Sequence, residues 1–357
     1  MLVTLYLTDM CNLDCSYCYF KNKTKNRLTH DQIGRVIDFV FEQIKKSNEG
    51  SIGIVFSGGE PLLEFPLLAN TVTKVINEAA RLDVSSSFVI TTNGTLLSCQ
   101  VIDFLKNKPI SLAISIDGPE HIHSEHRPFV NGSPTFSTVE CSLKTAISEG
   151  LSPVARITFT PATVGNLANS VKYLAELGCS EIKPVPDYFN SDWDEKSFAV
   201  CKAEIREIAN WLSENPNVTI PVLTQKSKRP MKPCYAGADH SYFVIGPDAN
   251  LYPCSYVVNQ PEFRIGNILE GFDDEKIMRI YSGVSSEERK NTCGKCAYFE
   301  CCESARCVLV NYRLSGNINL PSGFYCQYQQ LLFSLTDKFS GNAQGKLRIR
   351  ARKRAQS

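Results

Sequence analysis

Three cysteines crowd the run Cys11-Asn12-Leu13-Asp14-Cys15-Ser16-Tyr17-Cys18, and no other feature constrains the chain as tightly. Thiolates are the usual ligands of iron–sulfur clusters. The spacing C-x3-C-x2-C supplies three of them where a [4Fe–4S] cluster has four irons. One iron is left without a protein ligand and can bind something else. A purely structural cluster is normally closed by four ligands. The competing reading is a zinc knuckle, but zinc sites usually pair two C-x2-C hooks, and one such hook lies near the start.

The chain has 357 residues with 15 cysteines and a net charge of +1. That length suits two domains, or one large barrel with an appendage. The charge argues against a nucleic-acid surface. No apolar stretch approaches the ~20 residues needed to span a bilayer. The start, Met1-Leu2-Val3-Thr4-Leu5-Tyr6-Leu7, lacks a basic leader and reads as a first strand rather than a signal peptide. A cytoplasmic location is the expectation. Cysteines in such a chain point to metal sites rather than disulfides. Cys99, Cys141, Cys179 and Cys201 stand singly and are expected to be small core residues.

From residue 1 to 215 short apolar strands alternate with amphipathic helices. The strand candidates are residues 3–7, 52–56, 87–90, 112–116, 154–159 and 181–184. Thr29 and Gln32 form a capping-box pattern. It opens a helix whose apolar residues Ile33, Val36, Ile37, Val40 and Ile44 follow helical spacing. Further helices are expected near 67–82, 99–105, 138–148, 167–177 and 195–212. Six βα units in series imply a parallel sheet, and six falls short of the eight of a closed barrel. The expected fold is α/β: an open, partial (β/α)6 TIM-like barrel with its site at the C-terminal ends of the strands. From 216 to 335 prolines, aromatics and cysteines replace the rhythm. One helix is expected over 274–281 and another over 327–337. Metal would help such a loop-rich segment to fold. Residues 336–357 read as a solvated basic tail carrying Lys346, Arg348, Arg350, Arg352, Lys353 and Arg354.

Motifs follow the strands in order. After the second comes Ser57-Gly58-Gly59-Glu60-Pro61, whose glycines allow close backbone approach to a ligand. After the third comes Thr92-Asn93-Gly94. After the fourth comes Ser115-Ile116-Asp117-Gly118-Pro119, then His123 and Arg127. Arginine can pair bidentately with a carboxylate. This series resembles the peptide-modifying and sulfatase-maturating branch of the radical S-adenosylmethionine (AdoMet) superfamily. The resemblance implies a [4Fe–4S] cluster with an open iron on Cys11, Cys15 and Cys18, which chelates AdoMet and releases a 5′-deoxyadenosyl radical. It implies AdoMet contacts at Gly58, Gly59, Glu60, Ser115 and Arg127, with Tyr17 near the adenine.

The late cysteines, Cys293-x2-Cys296-x5-Cys302-x4-Cys307 and then Cys326, resemble the SPASM extension, which holds auxiliary [4Fe–4S] clusters. Cys234 and Cys254 bracket a hairpin ending in Tyr252-Pro253-Cys254. Asn250 stands where the family usually has glycine, and Asn also tolerates a positive φ. Gly266-Asn267 resembles the extension's usual turn. The resemblance implies an outer cluster on Cys293, Cys296, Cys302 and Cys326. It implies an inner one on Cys234, Cys254 and Cys307, with an iron left open or filled by Cys301. Zinc is the alternative metal for thiolates.

Sulfatase-maturating relatives carry an aspartate base directly after the hairpin cysteine, and this chain has Ser255. The reading reached is an oxidoreductase that forms a C–C or thioether cross-link in a ribosomally made precursor peptide. The alternatives are formylglycine generation on a sulfatase and a non-catalytic iron–sulfur or zinc scaffold. The sequence identifies no catalytic base. An electron donor of flavodoxin or ferredoxin type is implied by the resemblance. The cluster motif begins at residue 11 and leaves no room for a leader-binding domain before it. Leader recognition then falls to a separate protein or another surface.

Overall fold

A computed structural model describes residues 1–20, 23–225 and 234–336. Of the expected basic tail, residues 337–357 lie outside the described residues, and Thr336 is instead the last residue of a helix. Among the described residues the strands are β1 (Leu2–Tyr6), β2 (Ser51–Ser57), β3 (Ser85–Thr92), β4 (Ile110–Ser115), β5 (Val154–Phe159), β6 (Glu181–Pro186), β7 (Tyr242–Ile245), β8 (Asn250–Tyr252), β9 (Gly266–Asn267) and β10 (Gly271–Phe272). Helices follow each of the first six, in the alternation expected of an α/β protein with a parallel sheet.

The chain forms two compact units, each assembled from three stretches. The first contains Met1–Ile116, His123–Pro153 and Cys234–Val284; the second contains Asp117–Ile122, Val154–Pro233 and Ser285–Ser357. In the first unit the strand order is β10-β9-β8-β7-β1-β2-β3-β4. β1 pairs parallel to β2, β2 to β3 and β3 to β4. The register aligns Ile245, Leu5, Phe56, Ile90 and Leu112 in one row, and all five are buried. In the second unit β5 and β6 pair in parallel over their full lengths.

Local chemistry explains the helix starts. Thr29 accepts from the Gln32 N–H at 3.2 Å and Gln32 Oε1 accepts from the Thr29 N–H at 2.9 Å, so the capping box is formed. The helix His30–Ser47 buries Ile33, Val36, Ile37, Val40 and Ile44, the stripe read from the sequence. The helix Phe65–Arg81 buries Leu67, Leu68, Val72 and Val75.

One strand was not foreseen and three expectations are corrected. First, β7 joins the edge of β1 in parallel. Its run Tyr242-Phe243-Val244-Ile245 is almost wholly buried, as a strand covered on both faces must be. Second, the last described helix is Gly323–Thr336, starting four residues earlier than expected and carrying Cys326. The helices Ser286–Cys293 and Val308–Ser315 lacked an apolar stripe to reveal them, although Ser285 caps the first through the Glu288 N–H at 3.1 Å. Third, the positive φ of the hairpin belongs to Ala249 (61°), not Asn250. A left-handed Ala costs roughly 1–2 kcal/mol. Asp248 holds the turn by accepting from the Asn250 N–H, Asn250 Nδ2 and Tyr252 OH at 3.1, 2.7 and 3.0 Å. Asn250 Oδ1 accepts from Asn267 Nδ2 at 2.9 Å, a link a glycine could not make. Fourth, Cys99 and Cys141 are exposed on helix surfaces, while Cys179 and Cys201 are buried.

Core and cap terms should separate in stability measurements. Leu68→Ala, at a fully buried position, is expected to cost about 2–5 kcal/mol, and Thr29→Ala about 1 kcal/mol. Urea unfolding of the two variants checks the order.

Candidate functional site

The loop after β1 carries Cys11, Cys15 and Cys18, and two other loops of the first unit grip it. The first is the glycine loop after β2. Gly59 N–H donates to Thr8 O at 3.1 Å and Glu60 N–H donates to Met10 O at 2.8 Å. A Cβ on Gly58, whose φ is +121°, would lie 2.7 Å from Thr8 O, and one on Gly59 would overlap Met10 O. The glycines therefore make room for a backbone crossing inside the protein.

Glu60 latches this crossing. It is 1% exposed. Oε1 accepts from the Leu62 N–H at 3.0 Å and Thr92 Oγ1 at 2.7 Å, and Oε2 accepts from the Asn93 N–H at 2.7 Å. Burial pushes its carboxyl up to about 7 against the pull of these three donors.

The loop after β3 continues the grip. Asn93 Nδ2 donates to Asn12 Oδ1 at 2.8 Å and approaches Cys11 Sγ at 3.8 Å, while Asn12 Nδ2 donates to Thr95 Oγ1 at 2.8 Å. The Leu13 N–H points at Cys11 Sγ at 3.4 Å. Burial raises the Cys11 thiol, the Leu13 amide opposes that, and Glu60 and Cys18 are close enough to raise it further. Amide donors aimed at a sulfur suit a ligating thiolate, which metal binding deprotonates outright. Asn93 belongs to the Thr92-Asn93-Gly94 motif read from the sequence, whereas Asn12 was given no role there.

A third segment straps the other side. Asp14 N–H donates to Pro128 O at 3.0 Å, Ser16 N–H to His126 O at 3.1 Å and Val130 N–H to Asn12 O at 3.0 Å. Ser16 Oγ lies 2.7 Å from His126 Nδ1. The strap presents Arg127 with its guanidinium carbon 5.1 Å from the centre of the Tyr17 ring, so two residues singled out from the sequence stack together. His123 is fully buried, with Nε2 3.0 Å from Thr135 Oγ1. Thr135 Oγ1 donates to Arg127 O at 2.6 Å, so it accepts from His123, which fixes that ring nitrogen as the protonated one. Ser115 ends β4, and Asp117 belongs to the second unit, where it accepts from the Thr158 N–H at 2.9 Å.

Cys254, Cys234 and a group of hydroxyls also lie in the first unit. Both cysteines are close enough to Tyr242 to raise its phenol, which burial raises first. Tyr6 OH lies 3.1 Å from Tyr19 OH, and Ser255 is close enough to Tyr6 and Tyr242 to oppose the rise of both phenols. Burial pushes Tyr6 up to about 12. Neutral hydroxyls therefore surround Ser255 at neutral pH.

In the second unit, Cys293 is raised by burial and then by Cys326, Cys302 and Cys296, and Cys326 by burial and then by Cys302 and Cys296. These four are the set expected for the outer cluster. Cys302 Sγ lies 3.1 Å from Ser304 Oγ. Cys301 is buried beside them, its thiol 3.4 Å from Tyr298 O, in a core with Phe299, Cys302, Ala305 and Phe333. Cys307 stands at the N-cap position of the helix Val308–Ser315, with no capping bond from its side chain. Among the described residues no three Cys, His, Asp or Glu side chains converge on a single ion position. Thiolates of a cubane bind separate irons and stand further apart than the ligands of one ion. All 15 cysteines are free thiols.

Comparison with known proteins defines the class of this site. Residues 5–178 match the Radical SAM superfamily. The chain is 32% identical over 182 residues to the uncharacterized protein MJ0907 of Methanocaldococcus jannaschii, covering 50% of this chain and 59% of that protein. It is 24% identical over 364 residues to a cysteine-type anaerobic sulfatase-maturating enzyme of Clostridium perfringens, covering 90% and 92%. The solved structure of native anSMEcpe with bound AdoMet and Cp18Cys peptide superposes with a TM-score of 0.76 at 19% identity, covering 97% of this chain and 99% of that one. SuiB of Streptococcus suis bound to precursor peptide SuiA gives 0.64 at 15%, covering 91% and 75%. Residues 5–178 are thus a radical SAM domain, the module of enzymes that use a [4Fe–4S] cluster and AdoMet, and the α/β fold is that of the maturases.

Two predictions follow from the crossing. Gly59→Ala should prevent it and abolish iron binding at the Cys11 loop, as measured by iron content after anaerobic reconstitution. Glu60 has its folded pKa raised, so it favours folding below the unfolded value near 4.5 and loses that contribution as pH rises through about 7. The metal-free chain should lose roughly 2–3 kcal/mol between pH 4.5 and 7.5, and Glu60→Gln should flatten that window in urea titrations.

Proposed function

We propose that the chain is a radical SAM peptide maturase that forms a C–C or thioether cross-link in a ribosomally synthesised peptide. When bound, a [4Fe–4S] cluster with an open iron and AdoMet supply hydrogen-atom abstraction through a 5′-deoxyadenosyl radical. Cys11, Cys15 and Cys18 would hold the cluster, with Leu13 and Asn93 directing N–H groups at Cys11. The backbone of Gly58 and Gly59, with Ser115 and Arg127, would hold AdoMet, and Tyr17 under Arg127 would flank its adenine. The Glu60 side chain is engaged by Leu62, Thr92 and Asn93, so its part is to fix the loop. Cys293, Cys296, Cys302 and Cys326 would hold one auxiliary cluster, and Cys234 and Cys254 would supply thiolates to a second. These clusters would take the electron left after bond formation. The partners of this reading are a precursor peptide, an electron donor of flavodoxin or ferredoxin type and a separate leader-binding protein. Its compartment is the reducing cytoplasm, in keeping with 15 free thiols and with the absence, among the described residues, of a helix long and apolar enough to cross a membrane.

One observation carries the choice of reaction. Ser255 directly follows Cys254 and lies close to Tyr6 and Tyr242, so a neutral hydroxyl stands where the sulfatase-maturating resemblance requires a carboxylate base. A hydroxyl does not take protons at neutral pH without help. The 24% identity to a cysteine-type sulfatase-maturating enzyme favours a second reading, oxidation of a side chain to formylglycine.

The test uses the reconstituted chain, AdoMet, dithionite and short peptides encoded beside its own gene. The expected result is 5′-deoxyadenosine formation and a product two hydrogens lighter, with two residues linked and no reaction with aldehyde reagents. An aldehyde formed on a sulfatase-derived peptide would establish the second reading instead. No 5′-deoxyadenosine at all would leave a scaffold.

A further inference from the structure

Arg289 is the largest fully buried side chain of the protein, at 1% exposure. Its Nε donates to Ser285 O at 3.3 Å and its Nη1 donates to Ala305 O at 3.4 Å. Its Nη2 has no partner among the described residues, and no carboxylate there pairs with it. The neighbouring Glu288 is taken by Asn317 Nδ2 at 2.9 Å and Asn319 Nδ2 at 2.7 Å. Arg306, the other buried cation here, lies 3.5 Å from the exposed Glu300 and is also close enough to Cys293 to act on its thiol. A guanidinium stays protonated, and a buried charge without a counter-charge is strongly unfavourable. Asn311 Oδ1 is also unpartnered, but a neutral oxygen does not offset a full charge.

Arg289 adjoins the core that contains the late cysteines. Arg289 and Cys293 are four residues apart on the helix Ser286–Cys293, so their side chains share one face. Ala305, whose carbonyl Arg289 holds, packs in one core with Cys301, Cys302, Phe299 and Phe333, and Cys293 packs against that core. A [4Fe–4S]2+ cluster bound by four thiolates carries a net charge of about −2, and its potential responds to nearby charge and to hydrogen bonds to its sulfurs.

We infer that Arg289 is the buried counter-charge of the auxiliary cluster held by Cys293, Cys296, Cys302 and Cys326, giving it an N–H donor and raising its reduction potential. The inference rests on the proposed iron–sulfur ligation of these four cysteines. Arg289 acts as a positioning residue: it touches no substrate and sets how readily this site takes one electron. In the measurement that electron comes from dithionite, and the reduction is that of the cluster alone.

The experiment is an EPR-monitored redox titration of the full reconstituted chain, following the signal that Cys326→Ala removes. Arg289→Met should lower the midpoint so that the equilibrium constant for accepting an electron falls about tenfold, about 59 mV for a one-electron couple. Arg289→Lys keeps the charge and loses the forked donor, so its midpoint should fall between those of the wild type and the Met variant. If Arg289→Met fails to hold the cluster, the Lys variant alone decides, with a lowered midpoint expected. Midpoints at the wild-type value with iron content retained would overturn the inference and leave the proposed function standing. Zinc in place of iron at these four cysteines would overturn the ligation beneath it.

Discussion

The first unit depends on one backbone crossing. The glycine loop after β2 lies directly on the Thr8–Met10 stretch that leads into the cysteine loop, with Gly59 and Glu60 amides donating to Thr8 and Met10 carbonyls. No side chain fits at Gly59. Because the crossing is made of main chain, it fixes the start of the Cys11 loop against the end of a central parallel strand. The Glu60 carboxylate then ties the same point to the next strand end through Thr92 and Asn93. Three consecutive strand ends thus hold one flexible loop, the kind of preorganisation a reactive site needs. Its energetic cost is a buried carboxyl with a raised pKa.

The second unit solves a related problem with different means. Its cysteines sit on short helices and turns with modest apolar stripes, and the packing beside them is aromatic: Phe333 stacks on Tyr298 at 5.0 Å, and Arg306 lies 4.4 Å over Phe299. Such a segment gathers four thiols but also buries cations. The proposed iron–sulfur cluster would reconcile the two by bringing negative charge near Arg289, which has no carboxylate partner among the described residues.

Much of this was legible in the sequence for identifiable reasons. The helix His30–Ser47 declared itself by its capping box and its stripe, and strands such as Val154–Phe159 by compact apolar runs. The cysteine triplet and the late cysteines were legible because thiolate spacing reflects metal chemistry directly. Other features were hidden because they depend on tertiary partners. β7 is four residues long and finds its place by pairing with β1. The helix Ser286–Cys293 is charged along its length, so only its Ser285 cap could have betrayed it. Ala249 adopts the left-handed turn because Asp248 and Asn267 fasten Asn250 on either side, which no residue preference announces. The orphaned Arg289 is invisible until its burial is known.

The central claim is that the first three cysteines hold a [4Fe–4S] cluster separate from those of the later cysteines. Iron and acid-labile sulfide per chain, after anaerobic reconstitution, test it most directly in the wild type and the Cys11/Cys15/Cys18→Ala variant. The account predicts about twelve irons falling to about eight. An iron count that the triple substitution leaves unchanged would contradict it.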